Sequence, residues 1–408
     1  MIRVTARERL KLLTGAGAWA LTGCGGGGSS APRASTPPAP IVVTPPPTPP
    51  AAPTPDPNPI VTGQLRDFFR SNFQVGAAMT SFQTNAGDAS GAIAMDQFSS
   101  VTPEYELKLD QMAPTSSSAI NFDAADRLVD WALGNNMVVR GHTLLWHLST
   151  PDYFLQGTPA QIRQRLEDYI GAVVSHFQGR ISIWDVVNEV VSDDIYRGAD
   201  GIGPDRRSNW FQATGGADYI DWAFRAARAA DPTAQLFLNE YETEIPFKRN
   251  WLMDILRRLV ANGTPIDGVG HQFHLNLRAN AADALAAIDT VDNAFLGLIN
   301  HVTEVDTNFY QDPGTCWESG VNCQPDIGPT PSAADLGTQA QLLRDLMTGL
   351  AQRSSVENVS FWGVTDGDSW LNTTPAVRSN HPLLFDRNGD PKPAFYAITD
   401  PTYVIPTS

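Results

Sequence analysis

The stretch Ile181-Ser-Ile-Trp-Asp-Val-Val-Asn-Glu189 is a short apolar run that closes on an amide and a carboxylate. Its length and its β-branched residues favour a buried strand. A second run, residues 299–305, carries Glu304 near its end, in the sequence His-Val-Thr-Glu-Val-Asp. The carboxyl ends of parallel strands meet at one edge of a sheet, so a fold of parallel strands would bring Glu189 and Glu304 together.

Other short apolar runs recur along the chain from about residue 64, and amphipathic helical stretches separate most of them. The clearest helix is predicted over 159–178, where Thr158 is a suitable N-cap and Gly179 a suitable end. A second helix is predicted over 333–353. The remaining predicted strands cover residues 74–79, 98–102, 137–145, 235–239, 268–273 and 358–364.

Eight strands alternating with helices predict the α/β class and a (β/α)8 TIM barrel, with residues 61–408 as a single catalytic domain. A doubly wound open sheet is the alternative fold for such a pattern. No Gly-x-Gly-x-x-Gly motif follows the first predicted strand, so the sequence gives no support for a dinucleotide site.

The first 24 residues have the features of an export signal. Basic residues precede an apolar stretch, 12–23, that is too short to span a bilayer. The segment closes on Leu21-Thr-Gly-Cys24, which resembles the lipobox of bacterial lipoproteins and implies acylation of Cys24. An ordinary cleaved signal with an incidental cysteine is the alternative. Residues 25–60, rich in Gly and Ser and then in Pro, predict a flexible, partly polyproline II linker.

The chain carries a formal net charge of −16 at pH 7, and 42% of its residues are hydrophobic. This composition is typical of a globular protein with a sizeable core. Because an acidic protein repels phosphate backbones and anionic lipids, nucleic-acid binding is excluded as a function class. A neutral substrate fits the charge instead.

The three cysteines divide into one at the export signal and a pair, Cys316 and Cys323, later in the chain. Export would place this pair in an oxidising compartment, where a disulfide closing a short loop is expected. Two free thiols are the alternative. A zinc site is not supported, because no nearby histidine completes a set of ligands.

Polar and aromatic side chains follow nearly every predicted strand, at the face of a barrel where active sites form. Carboxylates, amides and histidines suit the hydroxyls of a neutral sugar, and indoles suit the apolar faces of its rings. Two opposed carboxylates allow glycoside hydrolysis without a metal or cofactor. The residues so placed are Glu104, Lys108, His142, Trp146, Asn188, Glu189, Asn239, Glu240, Tyr241, Gln272, His274, Glu304, Asp306, Trp362, Asp366 and Trp370.

Five motifs, in order over about residues 64–400, closely resemble glycoside hydrolase family 10, the β-1,4-xylanases. Such an ordered set is far more specific than a single Asn-Glu pair. The motifs are Arg140-Gly-His-Thr-Leu-Leu-Trp-His147, Trp184-Asp-Val-Val-Asn-Glu189, Asp267-Gly-Val-Gly-His-Gln-Phe-His-Leu275, Phe361-Trp-Gly-Val-Thr-Asp-Gly-Asp-Ser-Trp370, and Pro382-Leu-Leu-Phe-Asp386 followed by Pro391-Lys-Pro-Ala-Phe-Tyr396.

The resemblance implies a retaining mechanism with Glu189 as general acid/base and Glu304 as nucleophile, their carboxyl groups about 5–5.5 Å apart. Asn188 would bond the sugar 2-hydroxyl, while His274 and Asp306 would support Glu304. The residues that the resemblance places against the substrate are Glu104, Lys108, His142, Trp146 and Gln272 on the glycone side, Trp362 and Trp370 over the sugar beside the cleaved bond, and Tyr241 near the aglycone side.

Four places in the sequence depart from the pattern of that family. Tyr105 stands where an asparagine is usual, Ser149 where a glutamine is usual, and Tyr153 where a tryptophan is usual. The fifth strand ends in Asn239-Glu-Tyr-Glu242, where Asn-Asp-Tyr-Asn is more frequent. The first three changes fall on the glycone side, so altered binding of the more distant sugars is expected while the catalytic pair is intact.

The sequence thus predicts an exported, lipid-anchored retaining endo-β-1,4-xylanase, acting in the periplasm or at the cell surface. Its partners would be a polysaccharide, xylan or a related β-1,4-glycan, and a membrane held through Cys24, and we expect a monomer. A related β-glycanase with altered glycone specificity is one alternative. A non-catalytic surface protein that binds glycans is another, although retention of both Glu189 and Glu304 favours an enzyme.

Overall fold

The structure is a computed structural model that describes residues 63–193 and 203–407 and the backbone of Ile41–Val42. Its centre is a sheet of eight parallel strands in which each strand pairs with the next along the chain. The last strand pairs with both its predecessor and the first, which closes the sheet. The strands are β1 (Gln74–Met79), β2 (Ser100–Pro103), β3 (Val138–Trp146), β4 (Ile183–Asn188), β5 (Gln235–Glu240), β6 (Gly268–His271), β7 (Ile299–Asn308) and β8 (Val356–Phe361).

The closed sheet confirms the predicted TIM barrel and rules out the doubly wound open sheet. Strands of such a barrel are covered on both faces, which explains why they appear in the sequence as continuous apolar runs. Close packing restricts the residues between them. A Cβ atom added to Gly141 on β3 would lie 2.2 Å from the ring of Trp184 on β4, so only glycine fits beside that indole.

Helices surround the barrel and bury their apolar stripes against it. Pro159–His176 is capped by Thr158, the predicted N-cap, which forms a capping box with Gln161, and the helix buries Ile162, Leu166 and Val173. Burial of each such side chain stabilises the fold by about 1.5–3 kcal/mol. The α-helices are Leu65–Phe68, Ala89–Gln97, Leu109–Met112, Asp123–Gly134, Pro159–His176, Asn209–Thr214, Asp218–Ala230, Pro246–Ala261, Ala281–Ala294, Gly314–Ser319, Ala333–Leu350 and Pro393–Thr399.

Three short strands lie outside the barrel proper. His274–Asn276 pairs with the carboxyl-terminal part of β7, which places His274 beside Asp306. Ile41–Val42 pairs in parallel with Phe295–Leu296, next to the amino-terminal end of β7. Within the described residues, no helix has the length and apolar character to cross a membrane. The predicted signal peptide with Cys24, and the predicted linker apart from Ile41–Val42, lie outside the described residues.

Candidate active site

The carboxyl ends of the strands bring Glu189 and Glu304 to one buried cluster, with 7% and 4% of their surfaces exposed. Amide side chains connect them. Asn239, the next-to-last residue of β5, donates from Nδ2 to Glu304 Oε1 at 2.7 Å and to Asn188 Oδ1 at 2.8 Å. Gln272 donates from Nε2 to Asn188 Oδ1 and to Glu189 Oε1, both at 3.3 Å. A continuous chain of neutral amide side chains therefore joins the two carboxylates.

Glu189 stands where the chain leaves β4. Its φ angle is 59°, in the left-handed region that residues other than glycine adopt rarely. Its backbone N–H still donates to the carbonyl oxygen of Asn239 at 2.9 Å. Its carboxylate accepts from the indole Nε1 of Trp146 at 2.8 Å. The hydrogen bonds recorded to this carboxylate thus come from neutral groups, the indole of Trp146 and the amide of Gln272.

Glu304 has a charged neighbour. The Nε2 atom of His274 lies 3.2 Å from Glu304 Oε2, and its Nδ1 atom lies 2.9 Å from Asp306 Oδ2. Burial alone would lower the pKa of His274, but the two carboxylates raise it to about 10. At neutral pH both ring nitrogens therefore carry protons and donate. Trp370 also donates to Asp306, from Nε1 at 2.9 Å, which fixes that carboxylate beneath the imidazole.

A basic and aromatic corner lies on the side of β2 and β3. Lys108 Nζ is 4.8 Å from the centre of the Trp146 ring and 5.0 Å from that of Tyr105. Burial lowers the pKa of Lys108, although nearby carboxylates oppose this shift. Burial also raises the pKa of Glu104, to about 7. The hydrogen bond from Tyr105 and the charge of Lys108 limit this rise. The corner offers an ammonium, a carboxyl group and two ring faces to a ligand.

His142 and Trp362 contact each other within the same group of side chains, with ring centres 5.2 Å apart. His142 Nδ1 lies 3.0 Å from Asp185 Oδ2, and Arg140 forms a buried ion pair of 2.7 Å with the same carboxylate. Although burial would raise the pKa of Asp185, Arg140 and His142 hold it below its usual range. Asp185 therefore remains charged and orients His142.

The model of glycosyl hydrolase family 10 matches residues 64–401. The chain belongs to glycosyl hydrolase family 10. It is 37% identical over 361 residues to the thermostable celloxylanase of Thermoclostridium stercorarium, which covers 83% of this chain and 87% of that protein.

Solved structures resemble this family 10 member over the same region. The crystal structure of xylanase B from Clostridium stercorarium F9 has a TM-score of 0.75 and 36% identity, covering 83% of this chain and 99% of that one. A mutant structure in complex with xylotriose has a TM-score of 0.75 and 30% identity with the same coverage. Other relatives are longer, and five of them match along only 28% to 31% of their length. The prediction of a glycoside hydrolase is confirmed.

In this family 10 hydrolase, charged side chains hold the backbone that follows Glu189, residues 189–193, which we name the acid-loop segment. Arg206 Nε donates to the carbonyl oxygen of Glu189 at 2.8 Å. Glu240 Oε2 accepts from the backbone N–H of Val191 at 2.8 Å. Lys248 Nζ donates to Asp193 Oδ1 at 2.5 Å and lies 3.4 Å from Glu240 Oε1. The acid-loop segment is therefore held in place by the charged side chains of Arg206, Glu240 and Lys248.

Tyr241 belongs to the same charged network. Its hydroxyl donates to Asp193 Oδ1 at 2.6 Å and accepts from Arg206 at 2.7 Å, while Lys248 Nζ lies 3.8 Å from the ring centre. Glu240 is fully buried, and burial together with the charge of Glu189 raises its pKa to about 7 against the influence of Lys248. The network thus couples the predicted aglycone residue to the acid-loop segment.

The glycone-side departures occupy different positions in this structure. The side chain of Tyr105 is 44% exposed, and its hydroxyl bonds to Glu104. The hydroxyl of Ser149 is buried without a hydrogen-bond partner among the described residues. Tyr153 donates its hydroxyl to the carbonyl oxygen of Ala113 at 2.6 Å and packs on the core. Tyr105 is therefore the departure best placed to touch a ligand.

Cys316 and Cys323 are joined in a disulfide, with Cα atoms 4.8 Å apart. With Asp312 they form a cluster of possible metal ligands among the described residues, but sulfurs bonded to each other supply no thiolates. This group therefore does not fit a metal site.

All the predicted catalytic, supporting and substrate-binding residues lie along the one face, whereas Cys24 falls outside the described residues. Sequence reasoning missed two residues that hold this site, Arg206 and Lys248. It placed Asn239 near the end of a predicted strand without a specific role, and the structure pairs Asn239 with Asn188, the last residue of β4. Arg206 lies in a loop and Lys248 in a helix, outside every quoted motif.

Proposed function

We propose that this protein is a retaining endo-β-1,4-xylanase. The observation that carries the proposal is the pair of buried carboxylates, one bonded by neutral donors and the other by a protonated histidine. The name of the celloxylanase relative and the xylotriose in a related structure point to xylan as the substrate class. The conserved roles of two carboxylates in glycoside hydrolysis supply the mechanism.

In the first step, the Glu189 carboxyl would give its proton to the glycosidic oxygen as the bond to the anomeric carbon breaks. A Glu304 oxygen would attack that carbon and form a glycosyl-enzyme ester, while the aglycone leaves as an alcohol. In the second step, Glu189 would take a proton from water as the water oxygen displaces Glu304. The sugar then keeps its β-configuration, because the anomeric carbon has been inverted twice.

Asn188 is suited to bind the sugar beside these groups. Its recorded side-chain hydrogen bonds use Oδ1, which accepts from Asn239 and Gln272. Its Nδ2 donor can therefore face a sugar 2-hydroxyl, a bond that strengthens in the transition state. Trp362 and Trp370 would cover the apolar faces of the same ring, since indoles pack well on sugar C–H groups.

Tyr105 supports a finer proposal about the glycone side. A partly exposed phenol beside Lys108 replaces the shorter amide usual in the family, so the more distant sugars meet a bulkier surface with different hydrogen bonding. We propose weaker action on unsubstituted xylan than on a decorated chain. The alternative is a related β-glycanase that acts on another β-1,4-glycan.

A substrate panel tests these proposals: unsubstituted xylan, glucuronoxylan, arabinoxylan, glucan and mannan, each with the wild type and with Glu304→Ala. Hydrolysis of a xylan by the wild type alone supports the proposal. Hydrolysis of glucan or mannan in preference to every xylan would favour the related β-glycanase. Binding without hydrolysis on the whole panel would favour the glycan-binding protein.

A proton NMR time course of oligosaccharide hydrolysis tests retention. The β-anomer should appear first and equilibrate later to the mixture. Initial release of the α-anomer would contradict the double displacement and require a different role for Glu304.

We also propose that the protein is exported and anchored through an acylated Cys24, on the strength of the lipobox-like Leu21-Thr-Gly-Cys24 and the basic residues before it. Replacement Cys24→Ser should release the hydrolase from sedimented membranes into the supernatant. Unchanged sedimentation of the variant would argue against the lipid anchor and leave an ordinary signal peptide as the better interpretation.

A further inference from the structure

The loop after β7 carries a tryptophan that no motif assigned. Trp317 lies in the short helix Gly314–Ser319, and its ring centre is 6.0 Å from that of Trp370 at an interplanar angle of 46°. Trp370 in turn lies 5.3 Å from the ring of His274, which lies 6.3 Å from Trp362. The ring of His274 contacts Glu304, and the rings of Trp370 and Trp317 follow it in succession, so Trp317 is the farthest from Glu304 along this series.

Several bonds fix the loop that carries Trp317. The disulfide joins Cys316, the neighbour of Trp317, to Cys323. The guanidinium of Arg378 forms an ion pair with Asp312 and donates to the carbonyl oxygen of Gln324 at 2.8 Å. The backbone N–H of Gln324 donates to Asp312 at 2.9 Å. An indole held in this way loses little conformational freedom on binding, which favours its use as a contact surface.

The burial of Trp317 is intermediate, so the ring has both a packed part and an accessible part. A purely structural indole of the core would be expected to be covered, as Trp184 and Trp210 are. Trp317 contacts Trp370, which lies beside the nucleophile. The accessible part of the Trp317 ring therefore extends the apolar surface by one further ring. Sugar rings present C–H faces that pack on such a surface.

We propose that Trp317 is a sugar-binding residue that extends the substrate cleft beyond Trp370, and that it determines the affinity for extended chains. Its ligand is a neutral pyranose unit of the same β-glycan, so this inference rests on the proposed function. Because the contact is remote from the cleaved bond, it raises affinity for long substrates and leaves the chemical steps unchanged.

Kinetics of Trp317→Ala on polymeric xylan and on a short aryl xylobioside test the proposal. We expect KM for the polymer to rise roughly tenfold, the change that about 1.4 kcal/mol produces, with kcat and the melting temperature unchanged. KM for the short substrate should not change. Trp317→Phe keeps an aromatic face and should recover most of the polymer affinity. Trp222→Ala, at a half-buried tryptophan of the outer helix Asp218–Ala230, is the matched control.

Two outcomes would overturn the proposal. Unchanged KM on the polymer would show that Trp317 does not touch the chain. Equal loss of kcat on both substrates would show that Trp317 acts by supporting Trp370 and Asp306. Binding of xylo-oligosaccharides to Glu304→Ala, with and without Trp317, separates this inference from the proposed function. Absence of hydrolysis by the wild type would count against the function, and equal Kd values would count against Trp317.

The disulfide gives a second test of the same contact. The double replacement Cys316→Ser and Cys323→Ser should raise KM for the polymer in the same direction as Trp317→Ala, because the indole loses its fixed position. Introduced together with Trp317→Ala, it should add no further increase, since both act on one contact. An additive increase would show that the disulfide affects binding by another route and would contradict its positioning role.

Discussion

The surroundings of Glu304 and Glu189 differ in where the charge lies. At Glu304 the charge touches the carboxylate itself, since protonated His274 donates to one oxygen while Asn239 donates to the other. At Glu189 the carboxylate accepts from the indole of Trp146 and the amide of Gln272, whereas the ions of the site bind its backbone and the acid-loop segment.

This difference fits two distinct tasks. A nucleophile must stay negative, and a permanent positive neighbour favours that state. A group that gives and then takes a proton must pass through both states, and neutral donors favour neither as strongly as an ion would. Charges placed on the backbone behind Glu189 can instead fix its position. The structure thus suggests that one carboxylate is controlled through its charge and the other through its placement.

The largest expected effect separates the two carboxylates directly. Glu304→Gln should lose at least about 10⁴-fold in kcat on every substrate, the scale observed when one member of a catalytic set is removed. Glu189→Gln should lose roughly 10²–10⁴-fold on xylan, the usual contribution of general acid–base catalysis. With a dinitrophenyl xylobioside, whose leaving group needs no proton, added azide should restore turnover of Glu189→Gln only. Equal rescue of both variants would contradict the assigned roles.

A second, smaller effect concerns the charge of His274. His274→Asn keeps a donor but removes the positive charge, and we expect kcat to fall by roughly 10²-fold, as for loss of one preorganised donor. Because the charge of His274 acts on Glu304, the loss should appear in kcat, and KM for xylan should change little. A variant with full kcat would show that the charge beside Glu304 is dispensable.

The same variant should change how stability depends on pH. The pKa of His274 is raised to about 10 in the folded state, so its contribution to stability is complete below about pH 6.5 and is lost as pH rises toward 10. In that window the free energy of unfolding should fall more steeply for the wild type than for His274→Asn, by up to about 1.4 kcal/mol per pH unit. Urea unfolding from pH 6 to pH 10 measures the difference. Parallel curves would refute the assigned charge.

The smallest effect on rate is expected behind Glu189. Lys248→Met removes a cation that binds the acid-loop segment, so Glu189 should be slightly misplaced. We expect kcat on xylan to fall roughly tenfold, less than the loss of about 10²-fold that a misplacement of about 1 Å can cause. The loss should be smaller with the dinitrophenyl substrate. If both substrates lose activity equally, Lys248 does not act through the proton transfer of Glu189.

Stability distinguishes this network from ordinary surface pairs. Lys248→Met removes one of the two cations beside the buried carboxylate of Glu240, the other being Arg206, so the variant should destabilise the fold by about 1–3 kcal/mol. Adding Glu240→Gln should recover part of that loss, because the amide carries no charge that needs the missing cation. Arg225→Met, which breaks an exposed pair with Asp221, is the control and should cost no more than about 1 kcal/mol. Chemical denaturation of the wild type and the three variants measures these differences.

The sequence was sufficient to predict the strands and the end of the barrel at which the candidate site lies. Most strands begin and end within two residues of their predicted limits. This agreement arises because buried parallel strands are continuous apolar runs between polar ends. Glu189 could be predicted because it follows its strand directly, and Glu304 because it lies in the second half of β7. Their roles remain proposals that the variants above would test.

The sequence could not predict the contacts that residues of loops and helices make with the site. Arg206 binds the backbone of Glu189 from a loop, and Lys248 reaches the same segment from a helix 59 positions later in the chain. The position of Trp317 depends on the path of a loop of more than twenty residues, which the disulfide and the contacts of Arg378 with Gln324 and Tyr310 fix. Tyr153 illustrates the converse, since its hydroxyl bonds to Ala113 although its position in the sequence suggested a role near the glycone.

The short strand pair between Ile41–Val42 and Phe295–Leu296 has a consequence for access to a polymer. It lies beside the amino-terminal end of β7, on the side of the barrel opposite the carboxylates, and the chain also enters β1 from that side. The proposed lipid anchor would therefore hold the barrel by this face and leave the end with the carboxylates turned outward. A long chain could then lie across that end without meeting the membrane.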